Sequence, residues 1–133
     1  MCAITAADVQ VVRRAYAALA RGDMDELEQC FARDAVWHEP GDNIHSGDWV
    51  GWLEIRDELL ALLGPLSRGA FRAKLVDIAL GQQYVVAVHR GQGEHNGRIL
   101  DSMGFQVASV ARGRIQEVWS NYADQPEVDA FWT

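Results

Sequence analysis

The chain lacks most of what a disulfide, metal or membrane scaffold is built on. Its 133 residues hold two cysteines, Cys2 and Cys30, too far apart to suggest a disulfide framework or a paired metal motif. Only three prolines are present, with no Pro-, Gly- and Ser-rich linker and no internal repeat, so one compact domain spanning 1–133 is expected. The longest apolar runs, such as residues 15–20, fall far short of the roughly 20 residues that cross a bilayer. The first residues carry no basic region followed by a long apolar run, as a secretion signal would. A soluble, cytoplasmic protein is expected. Basic charge is also scarce: 12 Lys and Arg against 19 Asp and Glu leave a net charge of −7. That balance disfavours nucleic acid and anionic membrane surfaces as main partners. No Gly-x-Ser-x-Gly elbow, P-loop or dinucleotide fingerprint occurs, so any chemistry is expected to run without a cofactor.

What is present is strong patterning. Val9, Val12, Tyr16 and Leu19 recur at helical spacing across 6–20, with Thr5 as N-cap and Gly22 past the end. Gly22-Asp23 ends that helix and caps a second, whose stripe of Met24, Leu27, Cys30 and Phe31 runs to about Ala32. Residues 35–39 are short and β-prone, the turn Pro40-Gly41-Asp42-Asn43 follows, and 46–51 reads as a loop of small residues. Trp52, Ile55, Leu59, Leu62 and Leu63 predict a third helix, stopped by Gly64-Pro65. Four stretches with strand character follow, at 70–80, 83–94, 98–111 and 114–123, with Asn96-Gly97 and Arg112-Gly113 as hairpin turns. After Pro126, Val128, Phe131 and Trp132 suffice for one docking turn. Helices first and long hairpin strands later make an α+β arrangement. A sheet of about four strands, covered on one face by three helices, has to curl, which leaves a cone-shaped cavity where a ligand or chemistry would sit.

Order and local motifs together resemble the nuclear transport factor two-like superfamily, and within it the SnoaL-like and ketosteroid isomerase-like proteins. The carriers are Tyr16 running into Ala20-Arg21-Gly22-Asp23, the run Phe31-Ala32-Arg33-Asp34-Ala35-Val36-Trp37-His38-Glu39-Pro40-Gly41, then Ser46-Gly47, and late in the chain Gly113-Arg114-Ile115. The resemblance implies a single SnoaL-like domain with a cystatin-like α+β roll, its curved antiparallel or mixed sheet holding the three helices on the concave side. It also implies a carboxylate general base at Glu39. Counted back from Gly22, Ala15 takes the place of the tyrosine those isomerases use, and Tyr16 is rotated by about 100° from it. On the late strand Gln106 replaces their protonated acid; it can donate a hydrogen bond but not a proton.

Strand alternation places Trp37 and Glu39 on one face and Val36 and His38 on the other. If Glu39 faces the cavity, Trp37 is its apolar wall, and such a neighbour raises a carboxylate toward neutral pH. Leu100, Ser102 and Gln106 share a face of the third long strand, and Val118, Ser120 and Tyr122 a face of the last. The leading expectation is a cofactor-independent isomerase or aldol-type cyclase acting on a small apolar carbonyl compound. Glu39 would be the base and Gln106 the oxyanion donor, with Tyr16, Trp37, His38, Ser102, Val118 and Tyr122 against the ligand. The rivals are a non-catalytic ligand-binding module and an association module. His38, Glu39, Asp42 and His45 do not have metal-site spacing, so no metal is expected. An outer-face patch of Val76, Ile78, Val85 and Val107 predicts a homodimer through the sheet.

Overall fold

The computed structural model describes residues 5–61 and 71–133. Helix α1 (Ala6–Arg21) starts where the Thr5 amide donates to Asp8 Oδ2 at 2.8 Å and ends at Gly22, which takes the left-handed conformation at φ 69°. Asp23 then starts α2 (Met24–Cys30), its Oδ1 accepting from the Glu26 amide at 3.0 Å. Phe31 and Ala32, expected to finish α2, instead open β1 (Phe31–Glu39). Pairing of Phe31 with Ile115 and its stacking on Trp52 outweigh the helical spacing of one more turn. A second strand, β2 (Gly47–Val50), lies where a loop was expected and pairs antiparallel with residues Val36 to Glu39. Gly47 and Asp48 disfavour a strand and leave only the β-prone pair Trp49-Val50, too short a signal to read from the sequence.

Helix α3 (Trp52–Glu54) continues as a π-helical segment (Ile55–Leu60) and buries Trp52, Ile55, Leu59 and Leu60. Leu62, Leu63 and the Gly64-Pro65 stop lie outside the described residues. Strands β3 (Arg72–Leu80), β4 (Val85–His95), β5 (Arg98–Ala111) and β6 (Arg114–Tyr122) form the expected meander. Helix α4 (Gln125–Phe131) follows, capped by Asp124, which accepts from the Glu127 amide at 3.1 Å. Both hairpin turns are left-handed pairs: Asn96 and Gly97 at φ 51° and 77°, Arg112 and Gly113 at φ 54° and 75°. The sheet has six strands rather than about four, in the order β2-β1-β6-β5-β4-β3. All neighbours are antiparallel except β1 and β6, which run parallel, Phe31 pairing with Ile115 and Val36 to His38 with Glu117 to Trp119.

Val85, Ala87, Ala108, Val110, Ile115 and Val118 of the inner face pack with α1, α2 and the π-helical segment. A smaller cluster of Leu100, Val128, Phe131 and Trp132 closes the other end under α4. The outer patch differs from expectation. Val85 opens the inward series of β4 and is fully buried, while Ile78 packs against the core because a bulge between Leu75 and Asp77 shifts the alternation of β3. Val76 is 63% exposed, and Val107 pairs with Val86 and Trp119 on the outer face. No helix among the described residues is long and apolar enough to cross a membrane.

Candidate active site

The inner face of the sheet and the helices leave a cavity of about 70 Å³. Trp37 and Glu39 reach it from β1, Tyr16 from α1, and Ser102 and Gln106 from β5. On β6, Val118 and Tyr122 line the same space, with Ser120 beside them, so the inward face of that strand is the one that alternates with Trp119 and Asn121.

Glu39 is held entirely by neutral donors. Trp37 Nε1 donates to Oε1 at 2.9 Å and the Tyr122 hydroxyl donates to Oε2 at 2.5 Å. Among the described residues no Lys, Arg or His forms an ion pair with it. The residue keeps some exposed surface, but its carboxyl is enclosed, and that desolvation pushes its pKa up; the bonds from Tyr122, Trp37 and the Ser120 hydroxyl pull the other way. Tyr122 keeps its proton far above the ordinary phenol range, first because it is buried and then because of the neighbouring carboxylate. It therefore acts as a fixed donor. A second branch runs from Trp37: its indole also reaches Ser120 Oγ at 3.1 Å, and Gln106 Nε2 donates to the same oxygen at 3.2 Å. One amide hydrogen of Gln106 remains for a ligand.

Tyr16 forms a separate pair. Its hydroxyl lies 2.9 Å from His89 Nδ1, and both side chains are buried. Burial lowers the His89 pKa to about 4 and raises that of Tyr16, so the pair is neutral at pH 7. Whichever tautomer His89 adopts, one hydrogen of the pair is not consumed between the two groups, either on the Tyr16 oxygen or on His89 Nε2.

His38, expected against the ligand, is not at the cavity. Alternation turns it to the outer face, where Nδ1 meets Asp48 Oδ1 at 2.7 Å, Nε2 meets Glu117 Oε2 at 2.5 Å, and the ring stacks on Trp119. Those two carboxylates, Glu117 first, raise its pKa. Two lining histidines were missed. His89 continues the inward series Val85, Ala87, His89 of β4, which periodicity alone could have exposed. His45 comes from the loop before β2, where no periodicity applies. No cluster of three or more His, Cys, Asp or Glu side chains suited to a metal ion occurs among the described residues.

A curved sheet closed by helices around a cavity with one enclosed carboxyl defines a class, and the SnoaL-like domain family model matches residues 12–118. The chain belongs to the SnoaL-like domain family. It is 35% identical over 130 residues to "Uncharacterized protein Rv0034" of Mycobacterium tuberculosis, covering 95% of this chain and 96% of that one. Among solved structures it is similar to Bal32a from a soil-derived mobile gene cassette, at 30% identity and a TM-score of 0.91 over 96% of this chain and 97% of that chain. It is also similar to a protein of cystatin-like fold from Xanthomonas campestris, at 27% identity and a TM-score of 0.87 over 94% and 97%.

Proposed function

We propose that the protein is a cofactor-independent isomerase or aldol-type cyclase that removes a proton next to a carbonyl in a small, largely apolar molecule. The observation that carries this reading is Glu39: a carboxyl enclosed in an apolar cavity, without a cation among the described residues, oriented by two neutral donors. A structural glutamate in such a place would be paired with a base; an unpaired one costs folding free energy and is worth that cost as a proton acceptor. Tyr122 and Trp37 occupy one lone pair on each oxygen and leave others for the substrate C–H.

In the proposed step Glu39 takes the proton from the carbon beside the carbonyl, and the electron pair moves onto the carbonyl oxygen as an enolate. Gln106, and the free hydrogen of the Tyr16–His89 pair, supply donors for that oxygen. Return of the proton from Glu39 to a different carbon completes an isomerisation. Attack of the enolate carbon on a second carbonyl of the same molecule instead closes a ring, and the alkoxide so formed takes back the proton from Glu39 as the first carbonyl re-forms. Trp37, Val118 and Ser102 shape the wall that keeps water away.

The test is deuterium uptake in D₂O at the carbon next to the carbonyl of ring ketones such as 2-tetralone. The wild type is expected to accelerate uptake, and Glu39→Gln to lower the enzymatic rate by about 10²–10⁴. Equal rates for the two proteins would leave the cavity as a binding site only.

The outer face supports a second element of the reading, self-association. Val107, Val86 and Trp119 adjoin one another across three strands, and Tyr84, 41% exposed, stands edge-on to Trp119. A second copy of the chain is the proposed cover for this surface.

A further inference from the structure

His45 is 2% exposed, yet neither ring nitrogen meets a hydrogen-bond partner among the described residues. Leaving both unsatisfied is costly, because the imidazole gives up its bonds to water on burial. The loop around it is by contrast fully tied. The His45 amide donates to Asn43 Oδ1 at 2.8 Å, and its carbonyl accepts from Trp49 Nε1 at 2.9 Å. The Asn43 amide donates to Ser46 Oγ at 2.9 Å, and Asn43 Nδ2 to Asp129 Oδ1 at 2.7 Å, which fastens the loop to α4. The ring itself stands edge-on to Trp132, centroids 4.4 Å apart, and borders the same cavity as Glu39. Burial, with His95 nearby, lowers its pKa to about 4, so at pH 7 it presents one donor and one acceptor and no charge.

We infer that His45 is the polar anchor of the cavity's ligand, and that the ligand is a neutral ring compound whose hydroxyl or carbonyl oxygen bonds the imidazole. The inference rests on reading the cavity as a small-molecule site, and it does not require Glu39 to act as a base. Neutrality follows from the lining: among the described residues Glu39 is there but no Lys or Arg, so a carboxylate or phosphate on the ligand would be buried against Glu39 without a counter-charge from them. The apolar and aromatic side chains on the same wall, among them Phe71, Leu100 and Trp132, suit a ring. A hydroxyl fits best, since it satisfies the ring in either tautomer, while a carbonyl satisfies only the N–H.

The test uses the full chain labelled with ¹⁵N in histidine, titrated with 4-methylphenol and with its isostere para-xylene, which lacks the oxygen. The phenol is expected to move both ring-nitrogen signals of His45, and para-xylene to bind without doing so. In His45→Phe, which keeps an aromatic ring against Trp132, the ratio of the two dissociation constants shifts by about tenfold in favour of para-xylene. Should that variant not fold, the wild-type ring-nitrogen titration decides alone. Binding of both compounds with an unchanged ratio, or with silent His45 signals, overturns the anchor and leaves the cavity a ligand site. Binding of neither overturns the anchor and the small-molecule reading together. A catalytically inert Glu39 changes none of these readouts.

Discussion

At the scale of single residues, the cavity sets its ionisable groups against one another. His45 and His89 fall from the ordinary 6.5 to about 4 on burial, so the folded protein resists protons that the unfolded chain accepts. Their contribution to stability is complete above about pH 6.5 and is lost as pH falls from there toward 4. Glu39 acts in the opposite sense: its raised pKa gives stability below the ordinary carboxylate range, lost as pH rises through its folded value. Thermal melts between pH 7 and 4 should therefore show a loss of Tm that His89→Gln reduces; an identical pH profile for variant and wild type would refute the lowered pKa. The pairing of Trp37 with Glu39 was legible in the sequence because a strand alternates; the same rule put His38 on the opposite face, at odds with the ligand contact expected of it, and the outer-face bonds to Asp48 and Glu117 bear the alternation out. His45 was not legible, because its position depends on loop bonds to Asn43, Trp49 and Asp129 that no local pattern encodes.

At the scale of elements, the helices α1 and α2 and the two late hairpins were readable from caps and turns: Thr5, Gly22-Asp23, Asn96-Gly97 and Arg112-Gly113 stand where the chain bends. Strand β2 and the first two residues of β1 were not: Gly47 and Asp48 obscure the β-prone Trp49-Val50, and Phe31 and Ala32 continue the apolar stripe of α2 although Phe31 pairs with distant Ile115. The approach of β5 to β4 carries a functional demand. Gly104 lies directly across from His89, and a Cβ there would come within 2.5 Å of His89 Nε2. Gly104→Ala should push the ring off Tyr16 and destabilise the fold by about 1–3 kcal/mol. Denaturant unfolding with the ring-proton signals of His89 as reporter checks both effects; a neutral substitution with unmoved signals would show that the site has slack.

At the scale of the whole molecule, one acidic chain presents a cavity on one side of its sheet and, on the other, an apolar strip of Val86, Val107 and Trp119 beside the charged His38–Glu117 pair. The α+β class and the cone were legible from element order, but the six-strand width and the parallel β1–β6 pairing were not, because they hang on the short β2 and on where β1 inserts. The proposed pairing of two copies through the outer face predicts that Val107→Glu, which buries charge at the centre of that face, converts a dimer to a monomer by sedimentation while the cavity stays intact. A wild type that sediments as a monomer at all concentrations would remove the second copy from the account.

The central claim is that the fold holds Glu39 as a base poised by enclosure. A ¹³C titration of the Glu39 carboxyl, assigned by its absence in Glu39→Gln, tests it most directly. The account predicts a midpoint above the ordinary glutamate value that rises further in the apolar-bound state, when a ligand such as para-xylene excludes water. A midpoint at or below the ordinary value, unmoved by ligand, would contradict it.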